Sequence, residues 1–189
     1  MLSDDVQVSF KFKKSHGPIA AIVRDIEDGD SWLTFFRDLG KELKEKFGRN
    51  LEEDVESVEL ILNGEDDEPF LKKCVTDSYP FVSEDLFDYL NLGTREKELV
   101  CVMMNDIGFV NLDEAIRKVP ELNTVPDNRG EIEGYAMDLM EEVDNLNKIS
   151  TFLQTCIDWD KVVKGLEQDD QILHVPEYGF WITNAHELY

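Results

Sequence analysis

Basic residues are scarce in this chain of 189 residues: 19 Lys and Arg stand against 42 Asp and Glu, a formal net charge of −23. A protein that binds nucleic acid or an anionic membrane needs Lys and Arg to neutralise phosphates. The sequence also lacks any apolar run near the ~20 residues of a membrane span, and its acidic N-terminal stretch is unlike a secretory signal. We therefore expect a cytoplasmic protein that binds neither nucleic acid nor a membrane.

Catalytic and metal-binding motifs are missing as well. The sequence has no phosphate-binding loop, dinucleotide fingerprint, H-E-x-x-H or nucleophile elbow. Its three histidines have no ligand spacing, and residues 25–30 depart from the calcium-loop pattern. Cys74, Cys101 and Cys156 form no C-x-x-C pair, so we expect them to be reduced and mostly buried. We predict no enzymatic activity, no cofactor and no metal site.

The acidic residues are spread through the sequence rather than gathered in a tail. Residues 1–50 contain nine acids and nine bases, so residues 51–189 carry the whole net charge of −23. These acids are interleaved with apolar residues at the periods of helices and strands. We therefore expect the charge to coat a folded structure.

Hydrophobic periodicity predicts an α+β fold that is elongated and modular. Residues 1–68 form a small α+β unit, 69–107 a helical unit and 108–189 a second α+β unit, with 65–69 as a solvated linker. The predicted strands are 6–12, 19–23, 55–62, 171–175 and 180–183. The predicted helices are 32–47, 83–92, 94–105, 111–119, 131–144, 149–156 and 157–166. Tyr135, Leu139 and Val143 are expected on the apolar side of the helix at 131–144.

Rows of carboxylates on a helix can imitate the phosphates of DNA. B-DNA carries one charge per ~1.7 Å of axis, so this net charge corresponds to ~39 Å of duplex. Carboxylates four residues apart lie ~6 Å apart along a helix axis, close to the spacing of successive phosphates on one strand. Two sets have this i, i+3, i+4 relation and are candidate partner-binding residues: Asp138, Glu141 and Glu142, and Glu84, Asp85 and Asp88.

Four segments in a fixed order suggest a known family. They are N-L-D-E-A at 111–115, L-M-E-E-V-D-N-L-N-K-I at 139–149, I-D-W-D at 157–160 and Y-G-F-W-I at 178–182. In order and spacing, residues 108–182 resemble the C-terminal part of the ArdA-type antirestriction proteins. Asp144 and Ser150 depart from the glycine and proline that the family pattern has at these positions.

The resemblance implies a dimeric DNA mimic, encoded by a phage or mobile element, that blocks type I restriction-modification enzymes without a cofactor. Its partner would be a basic DNA-binding host protein in the host cytoplasm, and the chain would form a homodimer. Carried over to this sequence, the antirestriction segment is 139–149, in which Leu139, Leu146 and Ile149 are expected to pack. The implied contact acids are Glu141, Glu142 and Asp144, followed by Asp138, Asp158 and Asp160.

Other functions are compatible with the same anionic surface. The protein could be a phage-encoded inhibitor of another nucleic-acid-handling defence system, or an immunity protein for a basic nuclease toxin. An acidic structural or regulatory domain with no groove to fill is a further alternative. A toxin gene immediately upstream would favour the immunity protein.

Overall fold

The computed structural model describes residues 6–13, 19–23, 32–62, 68–76, 78–143 and 146–189. The fold is α+β, as predicted, with two small antiparallel sheets among mostly short helices. The chain divides into two compact units, Met1–Arg117 and Lys118–Tyr189.

The first unit begins with the predicted strands and helix. The strands form an antiparallel sheet in the order β2–β1–β3, with Val8 and Phe10 of the central strand fully buried. Gly48, with a φ of +63°, follows the first helix, and its left-handed backbone ends that helix. The elements are β1 (Val6–Phe12), β2 (Ile19–Val23), α1 (Trp32–Phe47), α2 (Leu51–Asp54) and β3 (Val55–Leu62).

Short helices complete the first unit. The predicted helical pair is confirmed, and the second member continues as a π-helical segment, Met103–Ile107. Residues 110–113 line the same cleft as Phe70 and Asp85, so they belong with the preceding helices and the unit ends later than the predicted boundary at 107. The helices are a 3₁₀ helix (Pro69–Cys74), α3 (Glu84–Leu90), α4 (Thr94–Val102) and α5 (Leu112–Lys118).

Glu68 corrects the prediction of a solvated linker at 65–69. Its side chain is only 5% exposed. The Tyr89 hydroxyl donates a hydrogen bond to Glu68 Oε1 at 2.5 Å, and the Phe70 ring meets the Tyr89 ring edge-on. Burial raises the pKa of Tyr89, so this hydroxyl remains a donor at neutral pH. Residue 68 therefore anchors the segment that follows β3, whereas residues 63–67 lie outside the described residues.

The second unit packs helices against a three-stranded sheet. The predicted hairpin is confirmed, and a strand that was not predicted, Thr124–Pro126, pairs with its second strand. The core contains Ile132, Ala136, Val163, Ile172 and Trp181. The elements are β4 (Thr124–Pro126), α6 (Arg129–Val143), α7 (Thr151–Gln154), α8 (Trp159–Gln168), β5 (Leu173–Val175) and β6 (Phe180–Ile182). Short 3₁₀ helices cover Val119–Glu121, Leu146–Lys148 and Ala185–Leu188.

Two side chains that were expected to pack against the fold are exposed. Val143 is 67% exposed because α6 extends about two turns beyond Ala136, its last buried residue. Ile149 is also exposed, whereas Leu146 is buried as expected. Cys74 and Cys101 are buried and Cys156 is exposed, in agreement with the expectation that the cysteines are mostly buried. All three exposed residues lie between the end of α6 and the start of α8.

Replacing Tyr89 by Phe tests the buried anchor. The variant keeps the ring but removes the donor to a buried carboxylate, so the free energy of unfolding should fall by ~1–3 kcal/mol. Urea unfolding measures this change. The matched control is Tyr79→Phe, at a ring that is 38% exposed, where we expect a change below ~0.5 kcal/mol. Equal losses in the two variants would contradict the role of the Glu68–Tyr89 hydrogen bond.

Candidate functional site

Three of the predicted contact acids form an exposed group near the C-terminal end of α6. Asp138, Glu141 and Glu142 are exposed, and none of them has an ion pair within the described residues. Glu131, which sequence reasoning did not select, is also exposed and lies on the same side of the helix as Asp138 and Glu142, seven and eleven residues away. We call these four residues the α6 acidic surface. Asp144, the remaining acid of the segment, lies outside the described residues.

The position of Glu141 and Glu142 is unfavourable for the helix that carries them. Both lie in the last turn of α6, which contains no basic residue. A negative charge at this end opposes the helix dipole, at a cost of about 0.3–1 kcal/mol. Together with burial, the Glu142 charge also raises the pKa of Tyr135. Local helix stability therefore does not explain why these carboxylates are present.

Asp158 and Asp160 differ from this group because both are engaged in local structure. Asp158 is the N-cap of α8: it accepts a hydrogen bond from the Lys161 backbone N–H, and its Oδ2 lies 2.9 Å from Lys161 Nζ. The hydrogen bond from the Lys161 side chain lowers the pKa of Asp158. Asp160 Oδ2 lies 3.1 Å from Arg129 Nη2 on α6. These two acids therefore hold α8 in place, and their charges are partly neutralised.

A second acidic group lies in the first unit. It consists of Glu84, Asp85 and Asp88 on α3 and Asp113 on α5, and we call it the α3 acidic surface. Burial raises the pKa of Asp88, and the charges of Glu84, Asp85 and Asp113 raise it further. Sequence periodicity predicted the three α3 acids as a set but did not identify Asp113, because only the tertiary fold brings α5 near α3.

Two of the four carboxylates of the α3 acidic surface have a polar partner nearby. Asp113 Oδ2 lies 2.6 Å from Arg117 Nη2, and Asp85 Oδ2 accepts a hydrogen bond from the Ser83 hydroxyl at 3.2 Å. No ion pair to Glu84 or Asp88 occurs within the described part of the chain. Burial, followed by the charges of Glu84, Asp85 and Asp113, keeps the pKa of Asp88 raised despite these contacts.

A cleft of about 390 Å³ lies beside the α3 acidic surface. Phe70, Met104 and Leu112 give it an apolar lining, and Asp85 and Asp113 are also among its lining residues. Cys74 lines it too, but burial raises the pKa of this thiol to about 11, so it is protonated at neutral pH and is a poor nucleophile. Cys74 is therefore not a candidate nucleophile in this cleft.

His174, one of the three histidines without ligand spacing, is packed against its neighbours. Its ring stacks on Trp181 with centroids 3.9 Å apart, and its Nε2 lies 3.0 Å from Asp127 Oδ2. The Trp181 indole N–H donates to Asp127 Oδ1 at 3.1 Å. The interaction with His174, followed by that with Trp181, lowers the pKa of Asp127. This cluster joins β5 and β6 to the residue that follows β4.

Comparisons with protein-family models, with curated proteins and with solved structures gave no match. The resemblance to the ArdA-type proteins therefore rests on the sequence segments alone. Among the described residues, no group of three or more His, Cys, Asp or Glu side chains is arranged to hold a metal ion. No helix in the described ranges combines the length and apolarity needed to cross a bilayer.

Stability measurements can separate structural acids from acids that are available for binding. Asp158→Ala removes the N-cap of α8, so the midpoint of thermal unfolding should fall by about 2–4 °C. The double variant Glu141→Gln/Glu142→Gln should not lower the midpoint, because it removes charges that oppose the α6 dipole. Calorimetry on the three proteins tests this order. A fall in the double variant as large as that in Asp158→Ala would make the α6 carboxylates structural.

The raised pKa of Asp88 predicts a pH-dependent gain in stability on neutralisation. Ionised Asp88 is disfavoured in the folded state, so Asp88→Asn should be more stable than the unmodified protein at pH 7. The gain should disappear below the ordinary carboxyl pKa, where Asp88 is protonated in both states. Urea unfolding between pH 7 and pH 3 measures the difference. A difference that does not change with pH would contradict the raised pKa of Asp88 in the folded protein.

Proposed function

We propose that the protein is an acidic DNA mimic that inhibits a type I restriction-modification enzyme of the host cytoplasm by occupying its DNA-binding groove. The observation that carries this proposal is the α6 acidic surface: exposed, unpaired carboxylates on a regular helix, two of them opposing its dipole. Residues that reduce local stability are expected where binding requires them. In this reading the protein acts by binding and not as an enzyme.

The spacing of the α6 carboxylates supports the mimicry of phosphates. Glu131 and Asp138 lie ~10 Å apart along the helix axis, and Asp138 and Glu142 lie ~6 Å apart. Glu141 adds a charge one residue before Glu142. A helix holds these groups at fixed separations, so little conformational entropy is lost when a row of Lys and Arg side chains binds them.

The α3 acidic surface supports the same class of partner. Burial raises the pKa of Asp88, and the charges of its three neighbours raise it further. Cationic side chains placed among these carboxylates would reduce the repulsion between them. Binding would therefore remove an interaction that destabilises the unbound protein. An acidic partner, or nucleic acid itself, would increase the repulsion instead.

The net charge also affects the rate of association and its dependence on salt. The second unit contains 15 acids and five bases, so its field attracts a basic groove over long distances and accelerates encounter. Binding that replaces DNA in a groove should weaken steeply as salt rises, because both partners hold counterions when apart. An affinity that is constant between about 50 and 200 mM salt would contradict mimicry of DNA.

A triple neutralisation tests where inhibition occurs. In Asp138→Asn/Glu141→Gln/Glu142→Gln the side chains keep their shape but lose three charges. Loss of a single desolvated charge pair costs ~2–5 kcal/mol, so the concentration for half-inhibition of DNA cleavage by a purified type I enzyme should rise at least ~30-fold. Displacement of the inhibitor by duplex DNA provides a second readout.

The control triple variant changes the same net charge in the same unit. Glu167→Gln/Asp169→Asn/Asp170→Asn neutralises three exposed acids at the C-terminal end of α8. Because long-range attraction falls equally in both variants, only local contact distinguishes them. Equal inhibition by the two triple variants would exclude the α6 acidic surface as the contact. Capture of a basic nuclease toxin instead of a restriction enzyme would favour the immunity function.

A further inference from the structure

The cleft of about 390 Å³ in the first unit is lined by segments with irregular backbone. Helix α4 continues into the π-helical segment Met103–Ile107, which contributes Met104 to the lining. Gly108, with a φ of +89°, then allows the chain to turn, and residues 110–113 line the cleft as well. Because π-helical segments are rare and occur frequently at functional sites, this cleft is a candidate binding site.

Strained backbone lies next to two other lining residues, Cys74 and Ser83. The Ser83 N–H donates to the Cys74 carbonyl at 2.7 Å, and the Thr76 N–H donates to the Phe81 carbonyl at 2.8 Å. Phe81 is buried and has a φ of +72°, a conformation that costs a residue with a side chain ~1–3 kcal/mol. Strain of this size persists only where the surrounding structure enforces it. The fold therefore fixes this part of the cleft before any ligand binds.

Apolar side chains form much of the lining. Phe70, Met104 and Leu112 are buried and present an apolar surface to the cleft. Val110, another lining residue, is 73% exposed. A ligand in the cleft could therefore cover apolar groups that are now in contact with water, which favours a ligand with a hydrocarbon part.

Two carboxylates, Asp85 and Asp113, give the same cleft a negative charge. The Ser83 hydroxyl donates to Asp85 Oδ2, and Arg117 Nη2 lies 2.6 Å from Asp113 Oδ2. An ionised carboxylate has about four acceptor positions, so both groups can still accept hydrogen bonds from a ligand. The combination of apolar groups and carboxylates favours a ligand that is an amphipathic cation.

We propose that this cleft binds the side chain of an arginine presented by the basic partner protein. The aliphatic part of the arginine would contact the apolar lining, and its guanidinium would donate to Asp85 and Asp113. Arginine fits better than lysine, because its planar group has five donors and is more weakly hydrated. For the identity of the partner this inference rests on the proposed function, and it adds the chemical group that the α3 acidic surface recognises.

Lys73 gives the proposal a prediction of opposite sign. Its side chain also lines the cleft, and no ion pair within the described residues joins it to Asp85 or Asp113. Its charge repels a cation in the cleft, so Lys73→Gln should bind an arginine side chain more tightly. Loss of structure in a variant would weaken binding and could not produce this result.

NMR of labelled methionine methyl groups in the full chain tests the cleft without a partner protein. The Met104 methyl reports on the cleft, whereas Met137, 39% exposed on α6 beside Asp138, reports on general attraction to acids. The probe is N-acetyl-arginine amide. N-acetyl-citrulline amide has the same shape without the charge, and guanidinium chloride has the charge without the aliphatic part. We expect a saturable shift at Met104 with the arginine probe, binding of the other two that is at least ~10-fold weaker, and no saturable shift at Met137.

Charge variants locate the interaction. Asp85→Asn should weaken binding of the arginine probe at least ~5-fold, because it removes a charged acceptor. The matched control is Asp106→Asn, which removes an exposed acid of the π-helical segment that does not line the cleft, and it should bind as the unmodified protein does. Circular dichroism checks that each variant is folded.

Four outcomes would overturn the proposal: no saturable shift at Met104, equal binding of the arginine and citrulline probes, an equal response at Met137, or unchanged binding in Asp85→Asn. These results do not depend on inhibition. If the probe binds as expected and a type I enzyme is not inhibited, the proposed function fails while the cleft is confirmed as a site for an arginine side chain. If inhibition occurs without a response at Met104, only the inference about the cleft fails.

Discussion

Repulsion among carboxylates that outnumber bases by more than two to one is the constraint under which this structure forms. The bases form short-range ion pairs, several of them between residues three or four apart, such as Arg117 with Asp113 and Lys161 with Asp158. Ion pairs of this kind reduce the net charge of one helix and contribute little to the free energy of folding. The free energy of folding must therefore come mainly from the two sheets and the apolar cores behind them. The surplus acids remain on the surface, where solvent and counterions screen them.

The acids consequently fall into two physical groups. Asp158, Asp160 and Glu68 each have a partner that fixes a part of the fold: a helix N-terminus, a neighbouring helix or a buried hydroxyl. The α6 and α3 acidic surfaces contain carboxylates that oppose a helix dipole or one another. An acid of the first group is explained by stability alone. Glu141 and Glu142, which oppose the α6 dipole, and Asp88, whose pKa is raised, make the isolated protein less stable, and a cationic partner would reverse the sign of their contribution.

The local hydrophobic pattern was sufficient to predict most helices and strands, but it was insufficient to predict which of them are in contact. Alternation in 6–12 and 55–62 and the apolar stripe of 32–47 predicted β1, β3 and α1, because each element carries its own period. The strand Thr124–Pro126 was missed, since it has three residues and its partner Phe180–Ile182 is more than 50 residues away.

The same limit explains the errors at single residues. Glu68 follows a run of acids and therefore looked solvated, whereas the Tyr89 hydroxyl that buries it lies 21 residues further along the chain. Val143 continues the period of α6, but periodicity contains no information on where the core ends. Asp113 was missed because α5 meets α3 only in the tertiary structure. The sequence identified which acids share a helix, but not which of them have partners.

Acidic and apolar exposed side chains lie on adjacent but separate stretches of the second unit. Residues 145–157 lack acids, while the α6 acidic surface ends immediately before Val143. In and around α7 the Ser150 hydroxyl and the Gln154 side-chain amide form hydrogen bonds to the backbone, whereas Phe152 and Leu153 are exposed. The excess of carboxylates and the exposed apolar groups are therefore two separate features of this unit, and repulsion between carboxylates accounts only for the first.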